Sequence, residues 1–169
     1  MWQRRTFHEC ADELEIISTD FRSAYLNKLG FNESRRTQIM TDCSRRGVEV
    51  LRVLALSVRS DEDFGLTSAN LRQHVGAHRP KSTSSEINFA MKSYRAPYNT
   101  LKDSRPLALR EALNKIAHAN PTQTGFFANE DNHDILLTGE KNGDIWIVVI
   151  SLPALCRAIK VLPDIQTSC

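Results

Sequence analysis

The sequence predicts a mainly α-helical protein, a four-helix up-and-down bundle with short extra helices and a β-hairpin before the C-terminal helix. Residues 6–60 carry apolar side chains at the three-and-four spacing of amphipathic helices. Residues 104–120 repeat this spacing between clear start and stop signals. After Pro121 the spacing changes to that of two short strands and one more helix. We place helices at about residues 6–29, 33–60, 68–75, 86–94, 104–119 and 152–162, and the hairpin at about residues 134–151.

Two long helices open the chain. Over residues 6–29 the apolar positions recur on one helical face, and Gly30 is a natural C-terminal stop. Asn32 then offers a cap for a second helix, with Glu33 in its first turn, where a carboxylate is favoured by the helix dipole. Each helix is long enough to span the bundle.

The middle of the chain is predicted to be less regular. Thr67 caps a short helix over residues 68–75, and residues 86–94 form a modest helix. Between them, residues 77–85 are basic and rich in serine, which is typical of a loop. Such a loop either contacts RNA or only links two helices, and we prefer the second interpretation.

Residues 104–120 form the best-delimited helix of the sequence. Ser104 can cap its first turn, Pro106 stands where a missing N–H costs nothing, and Asn120-Pro121 stops it. At about 100° per residue, one face is apolar and must be buried. That face consists of Leu109, Ala112, Leu113, Ile116 and Ala119.

A polar stripe lies on the other side of this helix, turned roughly 150° from the apolar face. It consists of Arg110, Asn114 and His118, which recur every four residues. We interpret this stripe as the candidate functional site. The alternative is that Asn114 and His118 only satisfy the last turn, where the helix dipole favours a histidine.

The C-terminal part combines a hairpin and a helix. Residues 134–138 and 144–151 are rich in β-formers and are separated by a segment that contains Asn142-Gly143, a strong hairpin signal. Residues 144–151 are too apolar to face water, so we expect them to lie over the helices. Pro153 then stands in the first turn of a final helix, a position that proline tolerates.

Composition indicates one soluble, cytoplasmic domain covering residues 1–169. The chain is 41% hydrophobic and 25% charged, its N-terminus has no signal peptide, and no window is long and apolar enough to span a membrane. Its four cysteines stand far apart and suggest reduced thiols. His74 and His78 have no carboxylate beside them, so we predict neither a metal site nor a cofactor.

Positive charge is concentrated in the middle of the chain. Residues 67–118 hold 9 Lys/Arg against 3 Asp/Glu, although the whole chain has a net charge of only +2. Such an excess indicates either a polyanionic partner or a solvated basic surface. If the basic region binds nucleic acid independently of the stripe, that binding should depend strongly on salt.

Residues 113–119 read L-N-K-I-A-H-A, which resembles the signature helix of the HEPN superfamily, the higher eukaryotes and prokaryotes nucleotide-binding domains. The motif of that family is an Arg, a polar residue that is often Asn, several further residues, and then His. The resemblance covers Asn114 and His118 with their spacing. It departs at Leu113, which stands at the position of the motif Arg; Arg110 lies one turn earlier and Arg105 is more distant.

The resemblance implies a metal-independent endoribonuclease that acts as a homodimer, of the kind found in toxin–antitoxin pairs and phage defence. His118 would be the general acid or base, Asn114 would orient it or the phosphate, and Arg110 would replace the motif Arg. Lys115 and Arg105 would contact RNA. A cognate antitoxin is then a further expected partner.

The residue types suit this chemistry. A histidine can donate or accept a proton near neutral pH, and an arginine holds phosphate oxygens in a bidentate manner. One stripe supplies one histidine, so a two-fold axis would bring the second. The alternative function is a catalytically degenerate HEPN-like module that binds nucleic acid, nucleotide or protein, and Leu113 favours it.

Overall fold

The computed structural model describes residues 5–61, 70–98, 101–164 and 167. Within these residues, five helices accompany a five-stranded antiparallel sheet, so the protein has an α/β fold and the prediction of a mainly α four-helix bundle is wrong. The helices are α1 (Phe7–Tyr25), α2 (Glu33–Asp61), α3 (Ser84–Ser93), α4 (Leu109–His118) and α5 (Leu152–Val161). The strands are β1 (His74–Ser82), β2 (Arg105–Ala108), β3 (Thr124–Ala128), β4 (His133–Lys141) and β5 (Asp144–Ser151).

The two long N-terminal helices lie close to where the sequence places them. Thr6 caps α1 through a capping box with Glu9, and α1 ends where Asn27 and Gly30 adopt left-handed backbone conformations. The Asn32 side chain accepts a hydrogen bond from the Arg35 backbone N–H at the start of α2. α1 packs against α2 and α5, and α2 packs against α4.

The sheet has the strand order β2-β1-β5-β4-β3. β4 and β5 form the predicted hairpin, but β4 continues through Lys141 and leaves only Asn142 and Gly143 in the turn. Both turn residues have positive φ, as a two-residue hairpin of this type requires. Since β1 and β4 flank β5, the hairpin lies in the centre of the sheet.

β1 replaces residues 77–82 of the loop that was predicted for residues 77–85, and the last two residues of that loop begin α3. The first two residues of β1 replace the end of the helix predicted for residues 68–75. Residues 62–69, which include only the first two residues of that helix, lie outside the described residues, and Asn70–Arg72 form a single 3₁₀ turn. The sequence of β1 does not predict a strand, because it contains several polar residues and Pro80. Pro80 is tolerated because the pairing of β1 with β2 ends at His78 and its pairing with β5 becomes irregular after Arg79.

The helix predicted over residues 104–119 is shorter than expected. Residues 105–108 form the edge strand β2, and α4 begins only at Leu109. Ser104 does not cap it: its hydroxyl donates to the Leu101 carbonyl oxygen at 2.7 Å, and the residue before α4 is Ala108, which has no side-chain cap. Pairing with β1 satisfies the backbone of residues 105–108, and Pro106 is acceptable because β2 is an edge strand.

The sheet separates two apolar cores. α1, α2, α4 and α5 cover one face, where Ile135, Leu137 and Val148 are buried, and we call it the helix-layer face. α3 and the segment that follows it cover the other, where Leu136 and Val149 are buried, and we call it the α3 face. Because alternate residues of β4 and β5 point to opposite faces and both sets are apolar, the hairpin must be covered on both sides. A bundle with a hairpin on its surface cannot provide this.

Candidate functional site

The polar stripe of α4 faces away from the core. Leu109 and Leu113 are buried in the helix-layer core, which leaves Arg110, Asn114 and His118 exposed on the outer side of the helix. The amphipathic pattern thus orients α4 as the sequence predicts, even though the helix starts later. These three side chains are accessible to a ligand from solvent.

His118 stands at the mouth of a small recess. It is the last residue of α4, and beside it lies the stretch of β4 that extends beyond its pairing with β3. The recess has a volume of about 210 Å³. Its lining consists of His118, Asn120, Gln123, Thr138, Gly139, Glu140 and Ile145.

Hydrogen bonds fix the segment that follows α4 against β4. The Asn120 backbone N–H donates to the Thr138 carbonyl oxygen at 2.7 Å, and the buried Thr138 hydroxyl donates to Gln123 Oε1 at 3.1 Å. Asn120 Oδ1 accepts from both the backbone N–H and the hydroxyl of Thr122, at 3.0 and 2.8 Å. The Asn120 amide is therefore held in a defined orientation, and the Gln123 amide is held next to β4.

The two residues that were expected to contact RNA, Arg105 and Lys115, lie apart from the stripe. Arg105 is exposed on β2, and its Nη2 lies 3.1 Å from Glu111 Oε1. Lys115 is only 9% exposed, and its ammonium group lies 4.3 Å from the ring centroid of Trp146. Burial lowers the pKa of Lys115, and the nearby Glu111 carboxylate partly opposes this. Their role in RNA binding stays a prediction.

Arg105, Glu111 and Lys115 belong to a cluster that also includes His78 of β1. Nδ1 of this buried histidine lies 2.9 Å from Glu111 Oε1 and 3.2 Å from Arg105 Nη2. Burial lowers the pKa of His78, the Glu111 carboxylate raises it, and the Lys115 and Arg105 cations lower it further. His78 Nε2 is buried without a hydrogen-bond partner within the described ranges. Sequence reasoning placed His78 in a loop, and only its strand pairing brings it beneath α4.

Leu113 occupies the position that the family resemblance gives to an arginine. Its side chain is 1% exposed and lies in the helix-layer core. An arginine could not replace it there without burying a charge. Any guanidinium that acts with His118 must therefore come from elsewhere, and Arg110 is the exposed one on α4.

Two other polar side chains of the C-terminal hairpin are buried. His133 stacks on the Phe21 ring at a centroid distance of 4.7 Å, and its Nδ1 is 2.8 Å from the Ser18 hydroxyl oxygen. Asp134 Oδ2 accepts a 2.5 Å hydrogen bond from the Tyr94 hydroxyl on the α3 face. Both residues are inaccessible from solvent, so neither takes part in the candidate site.

Among residues 5–61, 70–98, 101–164 and 167, no group of three or more His, Cys, Asp and Glu is placed to hold a metal ion. None of the helices in the described part of the chain has the length and apolar composition needed to cross a membrane. Cys10, Cys43 and Cys156 are buried and form no disulfide with one another.

Comparison with protein-family models, with curated protein sequences and with solved structures finds no match for this chain. The case for a function therefore depends on the exposed stripe and the recess beside it.

Proposed function

We propose that this protein binds RNA on the outer face of α4 and cleaves it without a metal ion, as a cytoplasmic homodimer. The observation that carries the proposal is the common exposure of Arg110, Asn114 and His118 along one side of α4, next to a polar recess. Such an enzyme would be suited to act as a toxin or a phage-defence effector, with an antitoxin as partner.

The chemistry assigns a role to each group. A base takes the proton of a ribose 2′-hydroxyl, and the 2′-oxygen forms a bond to phosphorus while the bond from phosphorus to the 5′-oxygen breaks. An acid gives a proton to that 5′-oxygen, so the products are a 2′,3′-cyclic phosphate and a 5′-hydroxyl. One His118 serves as base and the His118 of a second copy serves as acid. Arg110 stabilises the charge on the phosphate oxygens, and Asn114 orients the phosphate.

The experiment compares cleavage of single-stranded RNA in excess chelator by the wild type and by His118→Ala. We expect chelator-resistant cleavage that falls at least about 100-fold in the variant, as for loss of a general acid or base. His74→Ala is the matched control because His74 is an exposed histidine of β1 that is not part of the stripe. If RNA is bound but not cut, the catalytic part of the proposal is wrong. If RNA is not bound either, the whole proposal fails.

A second candidate is an RNA-binding module that has lost catalysis. The buried position of Leu113 favours it, because the arginine of the family motif has no place there. Under this hypothesis Arg110→Ala weakens RNA binding and lowers its salt dependence, whereas His118→Ala changes binding little. Wild-type protein that binds RNA without cutting it would support this candidate over the first.

A further inference from the structure

We infer that the recess beside His118 holds one unstacked base of the RNA and prefers guanine. This inference rests on the proposed function and adds a specificity to it. At about 210 Å³ the recess is smaller than the roughly 300–1,000 Å³ of sites for drug-sized ligands, so it suits a single ring system. Its position next to His118 would place that base close to the phosphate that is cut.

The recess offers two amide donors. Asn120 Oδ1 is occupied by the Thr122 backbone N–H, which can only donate, so the orientation of this amide is fixed with its NH₂ group left for a ligand. Gln123 Oε1 accepts from the Thr138 hydroxyl, and in this arrangement the Gln123 NH₂ group is left for a ligand. Within the described part of the chain, neither NH₂ group has a hydrogen-bond partner.

The recess also offers one strong acceptor. Glu140 lies at the end of β4 with its side chain exposed, and its carboxylate forms no ion pair with any residue that the structure describes. A carboxylate beside the recess disfavours a phosphate there, because both groups are negatively charged. It favours a ligand that brings N–H donors.

Guanine matches this combination of groups. Its N1–H and N2–H₂ are adjacent donors that a carboxylate accepts in a bidentate manner, and its O6 and N7 are adjacent acceptors for amide N–H groups. Uracil has one ring N–H and no amino group, so it can satisfy Glu140 only once. Reading a base on both edges requires an unpaired strand, so the substrate class is single-stranded RNA that contains guanine.

The test measures binding separately from cleavage. Short single-stranded oligonucleotides carry 2′-O-methyl riboses throughout, which prevents cleavage, and vary only in the central base. We expect fluorescence anisotropy to show at least about 10-fold tighter binding of the guanine oligonucleotide than of the uracil one, as for a hydrogen bond to a charged group. Glu140→Gln should reduce this ratio to about 1–2, and Gln123→Leu should reduce it in part.

Glu130→Gln is the matched control, because Glu130 is an exposed carboxylate that pairs with Lys28 and lies outside the recess. It should leave the ratio unchanged. RNA binding without a base preference, or a preference that survives in Glu140→Gln, would overturn the inference and leave the proposed function standing. Failure to bind any RNA would overturn both. Tight binding of free guanosine monophosphate without binding of RNA would identify a nucleotide as the ligand instead.

Discussion

His133 and Asp134 are neighbours in β4 whose side chains lie on opposite faces of the sheet. His133 packs on Phe21 on the helix-layer face, and Asp134 is bonded to Tyr94 on the α3 face. Both are buried, with exposed fractions of 1% and 0%. Burial lowers the pKa of His133 to about 4, with a further contribution from Arg22, and raises the pKa of Asp134 to about 6 despite the Tyr94 hydrogen bond.

Burial changes the pH dependence of stability in opposite directions at these two residues. Loss of water disfavours the charged form of each group, which is the protonated histidine and the deprotonated aspartate. Between pH 7 and pH 4, the unfolded chain gains a proton at His133 before the folded protein does, so acidification destabilises the fold through this residue. Asp134 takes up its proton in the folded protein first, so acidification stabilises the fold there. In the wild type the two contributions nearly cancel.

The largest expected effect comes from replacing His133, the basic residue of this pair. In His133→Gln the titration of Asp134 is no longer offset, so relative to the wild type the variant should gain about 2–3 kcal/mol in the free energy of unfolding between pH 7 and pH 4. Urea denaturation at several pH values measures it, and a pH dependence equal to that of the wild type would refute it. Glutamine keeps a polar group for the Ser18 hydroxyl, which limits the structural disturbance.

Asp134→Asn should have the mirror effect. The amide keeps the oxygen that accepts from Tyr94 but does not titrate. Relative to the wild type, this variant should therefore lose about 2–3 kcal/mol in the free energy of unfolding as pH falls from 7 to 4. The double variant should again follow the wild-type profile, and this closure is the control. If the single variants do not diverge from the wild type in opposite directions, the two faces do not differ as described.

Local signals in the sequence predict much of the helical structure but not the sheet. Capping residues and apolar spacing locate α1, α2 and α5 to within a few residues, and the Asn142-Gly143 turn locates the hairpin. β1 is invisible locally, because its polar side chains and Pro80 are typical of a loop. It becomes a strand because β5 offers it a partner from 63 or more residues away in the chain, the shortest separation being that of Ser82 and Ile145. No local window contains that information.

In the candidate site, too, some features follow from local sequence and others depend on contacts between distant parts of the chain. The outward orientation of Arg110, Asn114 and His118 follows from the helical period of α4, which acts within one element. The contact of His78 with Glu111 and the recess that Glu140 shares with His118 join residues distant in sequence, so they depend on the sheet. The four-helix bundle predicted from the helical spacing gave no reason to expect either feature.

A smaller effect distinguishes a crowded glycine of the helix-layer face from one that has room for a methyl group. A Cβ added at Gly139 would lie 2.0 Å from Trp146 Cζ2, so Gly139→Ala must displace this buried ring and the Lys115 ammonium above it. We expect the free energy of unfolding to fall by about 2 kcal/mol, as for overpacking of a core, and the tryptophan fluorescence to change. Gly47→Ala is the control: its Cβ would make only ordinary contacts, the nearest at 3.7 Å, so helix propensity should make it neutral or stabilising by up to about 1 kcal/mol.

The smallest expected effect concerns two buried histidines, His78 and His133, of which only His78 has a carboxylate beside it. Glu111 contacts both His78 and Arg105, whereas the pKa of His133 is lowered by burial and by Arg22 with no contribution from a carboxylate. Glu111→Gln should therefore lower the pKa of His78 further and cost about 1 kcal/mol of stability at pH 7, while the pKa of His133 stays unchanged. Titration of both imidazoles by NMR measures the first effect and urea denaturation the second. Equal shifts of the two histidines would mean that the buried bases of this face are coupled to one another and do not respond to their nearest charges alone.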